Sequence, residues 1–172
     1  MQIPFRVLVK SEKTVAGSPG WSEPEGIDRQ VNLTAALDIG ERTIQGLELV
    51  GRANINSPAR NVSFSLVYHP TGNRRDAIRL ARVDWRPVLP HTNLHPRSPP
   101  HLYLLDIPGT QHHAFELNWL ERESRPLKWL PVAEPIIPDF QSFSALLDGV
   151  GIFFRISNIR SVPEPNWAQE LF

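Results

Sequence analysis

Val62-Ser63-Phe64-Ser65-Leu66-Val67-Tyr68 decides the fold. Val62, Phe64, Leu66 and Tyr68 alternate with Ser63 and Ser65, the period of a strand with one buried face. Pro70-Thr71-Gly72-Asn73 follows as a turn signal, and Ala77 to Trp85 reads as the return strand of a hairpin. Upstream, Leu33, Ala35, Leu37 and Ile39 occupy one face of a strand that starts near Val31 and ends at Gly40. Thr43 to Ile55 is a second run, with Leu47 and Leu49 sharing a face, and Asn56-Ser57-Pro58 turns the chain.

Outside this sheet the signals change. Ile3 to Lys10 alternates weakly and is expected as a first strand. Residues 11–26 hold Gly17, Pro19, Gly20, Pro24 and Gly26 and read as a long loop, with Trp21 pinning it to the core. Residues 86–100 contain five prolines and form a second long loop. His101 to Asp106 and His113 to Trp119 read as further strands, the latter with Phe115, Leu117 and Trp119 on the face of His113. Asp139 is placed to cap a helix bearing Phe143, Leu146, Leu147, Val150 and Phe154 at helical spacing. Gly149 and Gly151 leave two readings: a helix through Phe154, or a helix to Asp148 followed by a strand from Ile152 to Ser157; the apolar spacing favours the longer helix. Asn166 to Phe172 reads as a short terminal helix with Trp167 and Phe172 against the body. The expectation is one α+β domain over residues 1–172. It has a curved, mostly antiparallel sheet of five to seven strands, with the C-terminal helix packed on one face.

Composition narrows the function. The 18 basic residues balance the 18 acidic ones, so recruitment of nucleic acid or an anionic membrane requires a local patch. Fifteen of the basic residues are Arg, whose planar fork suits phosphate and carboxylate. The absence of cysteine removes thiolate chemistry and cysteine zinc sites, and favours a cytoplasmic setting. No apolar run is long enough to span a bilayer, so no membrane partner is expected. No dinucleotide or P-loop motif is present, and no cofactor is expected.

All six histidines lie between positions 69 and 113. Arg82, Asp84 and Arg86 are spaced by two and, on a strand, share a face with Ile78 and Leu80. His91 and Asn93 lie in the Pro-rich connection, and His101 and Tyr103 share a face of the strand expected after it. His112 and His113 must point opposite ways; His112 suits an exposed face and His113 a satisfied core position. His69 and His95 read as structural and solvated, respectively. Three chemistries fit. In metal-free phosphodiester cleavage, His91 and His101 move protons while Arg82, Asp84 and Arg86 serve charge, with Asn93, Tyr103 and His112 binding substrate. In a divalent metal site, His91, His101, His112 and Asp84 are ligands, although no spacing matches a recognised metal motif and no metal is assigned. In the third, the His-rich loop is the interaction surface of a non-catalytic protein- or ligand-binding module.

The order Arg82-x-Asp84, His91-x-Asn93, His101-x-Tyr103 resembles small bacterial toxin-like proteins of the TumE-like kind and their uncharacterised relatives, over about residues 77–156. It departs where that pattern tends to carry His-x-His, since Leu102 and Tyr103 follow His101. The resemblance implies a member of a toxin–antitoxin pair that acts on RNA or nucleotides and has a protein antitoxin as partner.

Overall fold

The computed structural model describes residues 3–168. Its centre is a seven-stranded antiparallel sheet. In spatial order the strands are β1 (Thr14–Val15), β2 (Gln30–Ile39), β3 (Arg42–Asn54), β4 (Val62–Tyr68), β5 (Ile78–Trp85), β8 (Gln111–His113) and β11 (Glu134–Pro135). Two ribbons stand apart from it. One pairs β6 (His91–Thr92) with β7 (Asp106–Ile107), the other β9 (Trp119–Leu120) with β10 (Arg125–Pro126). Among the described residues no helix is long and apolar enough to cross a membrane.

The period-2 pattern builds the core as expected. Val31, Leu33, Ala35 and Leu37 meet Leu47, Leu49, Phe64, Leu66 and Val83 on one face of the sheet. The helix α2 (Phe143–Phe154) covers that face, with Phe143 tilted against Phe64 and Trp85. It runs through both glycines to Phe154. At Gly149 a Cβ would stand 2.3 Å from the Phe140 ring, and at Gly151 it would stand 2.8 Å from Ile159. The glycines admit these neighbours, which outweighs their low helix propensity. Ser142, not Asp139, caps the helix, its Oγ accepting from the Ala145 N–H at 3.1 Å. Asp139 instead accepts from Arg86.

Three expected elements differ. Residues near the N-terminus form a helix, α1 (Phe5–Lys10), rather than a strand. Phe5, Leu8 and Val9 stand at i, i+3 and i+4 and face the core, and the Pro4 carbonyl accepts from Val7 and Leu8 in the first turn. Buried Lys13 closes the other end, its Nζ donating to the carbonyls of Leu8, Val9 and Ser11. Burial, then the Arg155 charge, pushes this lysine down to about 8. Residues 101–105 turn instead of extending: the Leu102 and Tyr103 N–H groups both donate to the Pro99 carbonyl, and only Leu102 of this stretch is buried. The strand expected from His113 stops there. Glu116–Asn118 is a 3-10 turn closed by Asn118, which reaches back to the Ala114 carbonyl.

Trp21 pins its loop as expected, edge-on to Phe64, with its Nε1 donating to the Pro163 carbonyl. Trp167 packs edge-on to Phe143. Residues 166–168 are not helical, and the remainder of the expected terminal helix, with Phe172, lies outside the described residues.

Candidate functional site

Cross-strand register carries mostly polar positions of five strands into rows on the face opposite α2. One row runs Asn32, Arg52, Ser63, Asp84, Gln111; the next runs Thr34, Val50, Ser65, Arg82, His113. A bulge in β5 adds a third arginine. Leu66 pairs with Ala81 but Val67 pairs with Arg79, so Leu80 is inserted between them. The extra residue reverses the alternation. Arg79 therefore projects to the same face as Arg82, while Ile78 and Leu80, expected beside Arg82, belong to the core.

The result is a cleft of about 570 Å³ floored by Arg52, Arg79 and Arg82, with Trp129 at its rim. Asp84, buried at the base, accepts from Arg82 Nε at 2.7 Å, and His113 Nε2 lies 3.2 Å from its other oxygen. Burial alone would raise the Asp84 carboxyl; the His113 and Arg82 contacts outweigh it and hold the group below the usual carboxylate range. The terminal nitrogens of Arg82 make no hydrogen bond among the described residues, and the buried Nε of Arg79 has no partner. Burial first, then the charges of Arg82 and Arg52, lowers the Arg79 pKa. Three mutually repelling cations share a cleft whose one buried carboxylate is already engaged.

Trp129 is held over the cleft by a strap, residues 130–133, in which every residue has a side-chain partner from elsewhere. His113 Nδ1 approaches the Leu130 carbonyl at 2.7 Å, and His91 Nε2 approaches the Pro131 carbonyl at 3.0 Å. Asn118 pairs with both backbone groups of Val132, and Asn93 pairs with both of Ala133. Trp129 and Leu130 have φ of 67° and 49°, the left-handed region that side chains with a Cβ rarely occupy. The anchored strap enforces that turn and leaves Trp129 67% exposed.

This chain matches no protein-family model, no curated protein and no solved structure.

The residues singled out in the sequence are only partly brought together. Arg82, Asp84, His91 and Asn93 converge, because the Pro-rich loop folds back; the His91 and His113 rings lie 5.0 Å apart. Burial, then the His113 charge, lowers the His91 pKa. His101 and Tyr103 are exposed on the 99–105 turn, which is not a strand, and make no side-chain hydrogen bond to this group among the described residues. Arg86 leaves the shared face. Its φ is 47°, beyond the end of β5, and its Nε donates to Asp139 at 2.6 Å, tying the sheet to the approach of α2.

Both adjacent histidines are buried: His113 is satisfied at both ring nitrogens as expected, but His112 does not take the exposed position expected of it. His112 is buried against α2, its ring stacked 4.1 Å from Phe153, whereas His113 turns to the arginine face and contacts Asp84. Burial, then the His113 charge, pushes His112 down to about 4. Glu134 lies 3.3 Å from His112 Nδ1 and would favour its charge, but that carboxylate is 45% exposed and too screened to offset the burial. The proposed ligands His91, His101, His112 and Asp84 do not come together as a metal-binding group; no such group of three or more is found among the described residues.

Arg52, Arg79 and Trp129 escaped the sequence reading. Arg52 sits at a polar position of an alternating strand, which was a usable signal. Arg79 depends on the bulge and Trp129 on the strap, and neither has a local signature.

Proposed function

We propose that the protein binds RNA or a nucleotide through its phosphate in the cleft of Arg52, Arg79 and Arg82. The observation that carries this is Arg79, a cation with a buried, unpartnered Nε that shares the cleft with Arg82 and Arg52. Three like charges in one cleft are unfavourable without an anion, and the guanidinium groups that line it suit the bidentate recognition of phosphate. Asp84 and His113 act as positioning residues that fix the Arg82 Nε edge and leave its terminal nitrogens for the ligand. A cytoplasmic setting, where RNA and nucleotides are abundant, fits this reading.

The test is calorimetric titration with each of the four nucleoside 5′-monophosphates at low salt. Saturable binding that is lost in Arg79→Gln and Arg82→Gln supports the cleft. Equal heats in wild type and both variants remove it.

Toxin-like cleavage of RNA is the sharper form of the same reading. Of the two clustered histidines, His113 has both ring nitrogens against protein groups, whereas His91 Nδ1 has no hydrogen-bond partner among the described residues. In this form of the reading proton transfer falls to His91, whose ring stands 5.0 Å from that of His113, beside the cleft rather than in its lining. Bacterial growth on induction of wild type and of His91→Ala measures it: growth arrest only with wild type is expected, and equal growth contradicts it.

One observation favours the non-catalytic alternative. Val88, Leu89 and Leu94 on the Pro-rich segment, and Tyr103 and Leu104 on the turn that follows it, are exposed apolar side chains suited to a protein partner such as an antitoxin. Under that reading the product of an adjacent reading frame co-purifies with the protein, and Leu94→Ser with Leu104→Ser abolishes the complex.

A further inference from the structure

We propose that the arginine cleft is one half of a longer track for single-stranded nucleic acid, with Trp129 at its midpoint stacking on an unpaired base. The inference rests on the phosphate-binding reading above and names the ligand class. A second cleft, of about 590 Å³, lies on the other side of the same wall: Arg79 and Trp129 line both. Arg74 and Arg75 enter it from the turn after β4, and Arg125 and Lys128 from β10 and the segment after it. In a chain of zero net charge, the cations of Arg52, Arg82, Arg79, Arg74, Arg75 and Lys128 thus follow one another along two contiguous clefts.

Of the carboxylates lining the two clefts, Asp28 is exposed in the first and has no side-chain partner among the described residues, while Asp76 and Asp84 are at least partly engaged. Asp76, in the second cleft, accepts from the Thr71 N–H and hydroxyl, and Asp84 is held by Arg82 and His113. Arg125 is paired with Glu123, so it contributes less than its neighbours. A mononucleotide engages one cleft and leaves the other cations unused, whereas successive phosphates of a strand use both.

Trp129 selects the single strand. Arg79 and Lys128 lie 5.7 and 5.4 Å from its ring centre, and the ring is nonetheless mostly exposed. An aromatic plane in a basic groove is the arrangement on which unpaired bases stack. A duplex keeps its base faces stacked internally, and an acidic peptide supplies charge without a plane to stack.

The test is fluorescence anisotropy with labelled, unstructured RNA and DNA of about 12 nucleotides, alongside the mononucleotide titration. The oligonucleotide is expected to bind at least about tenfold tighter than the mononucleotides, with a log–log salt slope of roughly −3 to −4 for about five phosphates contacted. The Arg74→Gln, Arg75→Gln, Lys128→Gln triple variant changes exposed side chains only. It is expected to weaken the oligonucleotide about tenfold and leave mononucleotide affinity unchanged. Trp129→Ala is expected to weaken the oligonucleotide, and Trp129→Phe to recover most of the loss. Equal affinities for the two probes, indifference of the oligonucleotide to the triple variant, or equal displacement by polyglutamate of the same charge overturns the track alone. Failure of both probes to bind overturns the arginine cleft with it.

Discussion

Arg79 holds its guanidinium carbon 5.7 Å from the centre of the Trp129 ring, and its Nε is buried without a hydrogen-bond acceptor. The cation gains from the ring but remains incompletely solvated beside two like charges. Stability and binding should therefore move in opposite directions at this position. Arg79→Leu is expected to raise the unfolding free energy by about 1 kcal/mol while removing phosphate binding. Urea denaturation paired with nucleotide titration measures both; a variant that loses stability by a similar amount argues that Arg79 is there for the fold.

Asn93 should behave in the opposite way. It is fully buried, and its amide exchanges two 2.8 Å hydrogen bonds with Ala133 while its Oδ1 also meets His91. Asn93→Ala leaves a backbone donor and an acceptor unsatisfied and frees the strap that positions Trp129. A destabilisation of about 2–4 kcal/mol is expected. Hydrogen exchange should show faster exchange at Ala133, which a merely global loss of stability would not single out.

His112 predicts a pH dependence. Its folded value, about 4, lies below the ordinary histidine value, so between about 4 and 6.5 the unfolded chain binds more protons than the native one. Stability is therefore complete above about 6.5 and falls as pH drops towards 4, by about 3 kcal/mol from this residue. His91, also lowered, acts in the same direction. Asp84, held below the usual range, adds stability above the unfolded carboxylate value that is lost at more acidic pH. Urea midpoints measured across this window should flatten in His112→Phe, which keeps the ring against Phe153. An unchanged slope in that variant contradicts the assignment.

Gly149 gives a prediction against propensity. Alanine is the better helix former by about 1 kcal/mol, but its Cβ would enter the Phe140 ring position at 2.3 Å. Gly149→Ala is expected to cost a net 1–3 kcal/mol, or about that. Thermal denaturation decides it, since a raised Tm would show that Phe140 can move aside.

The parts of this fold that were legible in the sequence are those in which one periodicity dominates a whole element. Val62 to Tyr68 and Val31 to Ile39 bury the expected faces despite the buried Val67 and the register shift at Ala36/Asp38, and the stripe from Phe143 to Phe154 specifies α2 across two glycines. Phe5, Leu8 and Val9 were misread because a six-residue helix is too short to separate its spacing from weak alternation. His101 to Asp106 looked like a strand by composition, yet Tyr103, Leu104 and Leu105 have no buried face to alternate against. In the candidate site, Arg82 and Asp84 were found by spacing within β5. Arg79 was not, because one inserted residue, Leu80, reverses the alternation. His113 is buried and satisfied as expected, but the face it takes was not legible because its partners, Asp84 and Leu130, come from other segments.

The arginine Nε–H resonances report on the cleft most directly, because the cations proposed to hold phosphate can be followed one by one. Titration of a nucleoside 5′-monophosphate into isotopically labelled protein is expected to shift the Nε–H signals of Arg52, Arg79 and Arg82. Those of Arg86, bound to Asp139, and Arg160, bound to Asp148, should stay in place. Unmoved signals from the three cleft arginines, or shifts confined to arginines elsewhere, would contradict the phosphate-binding account.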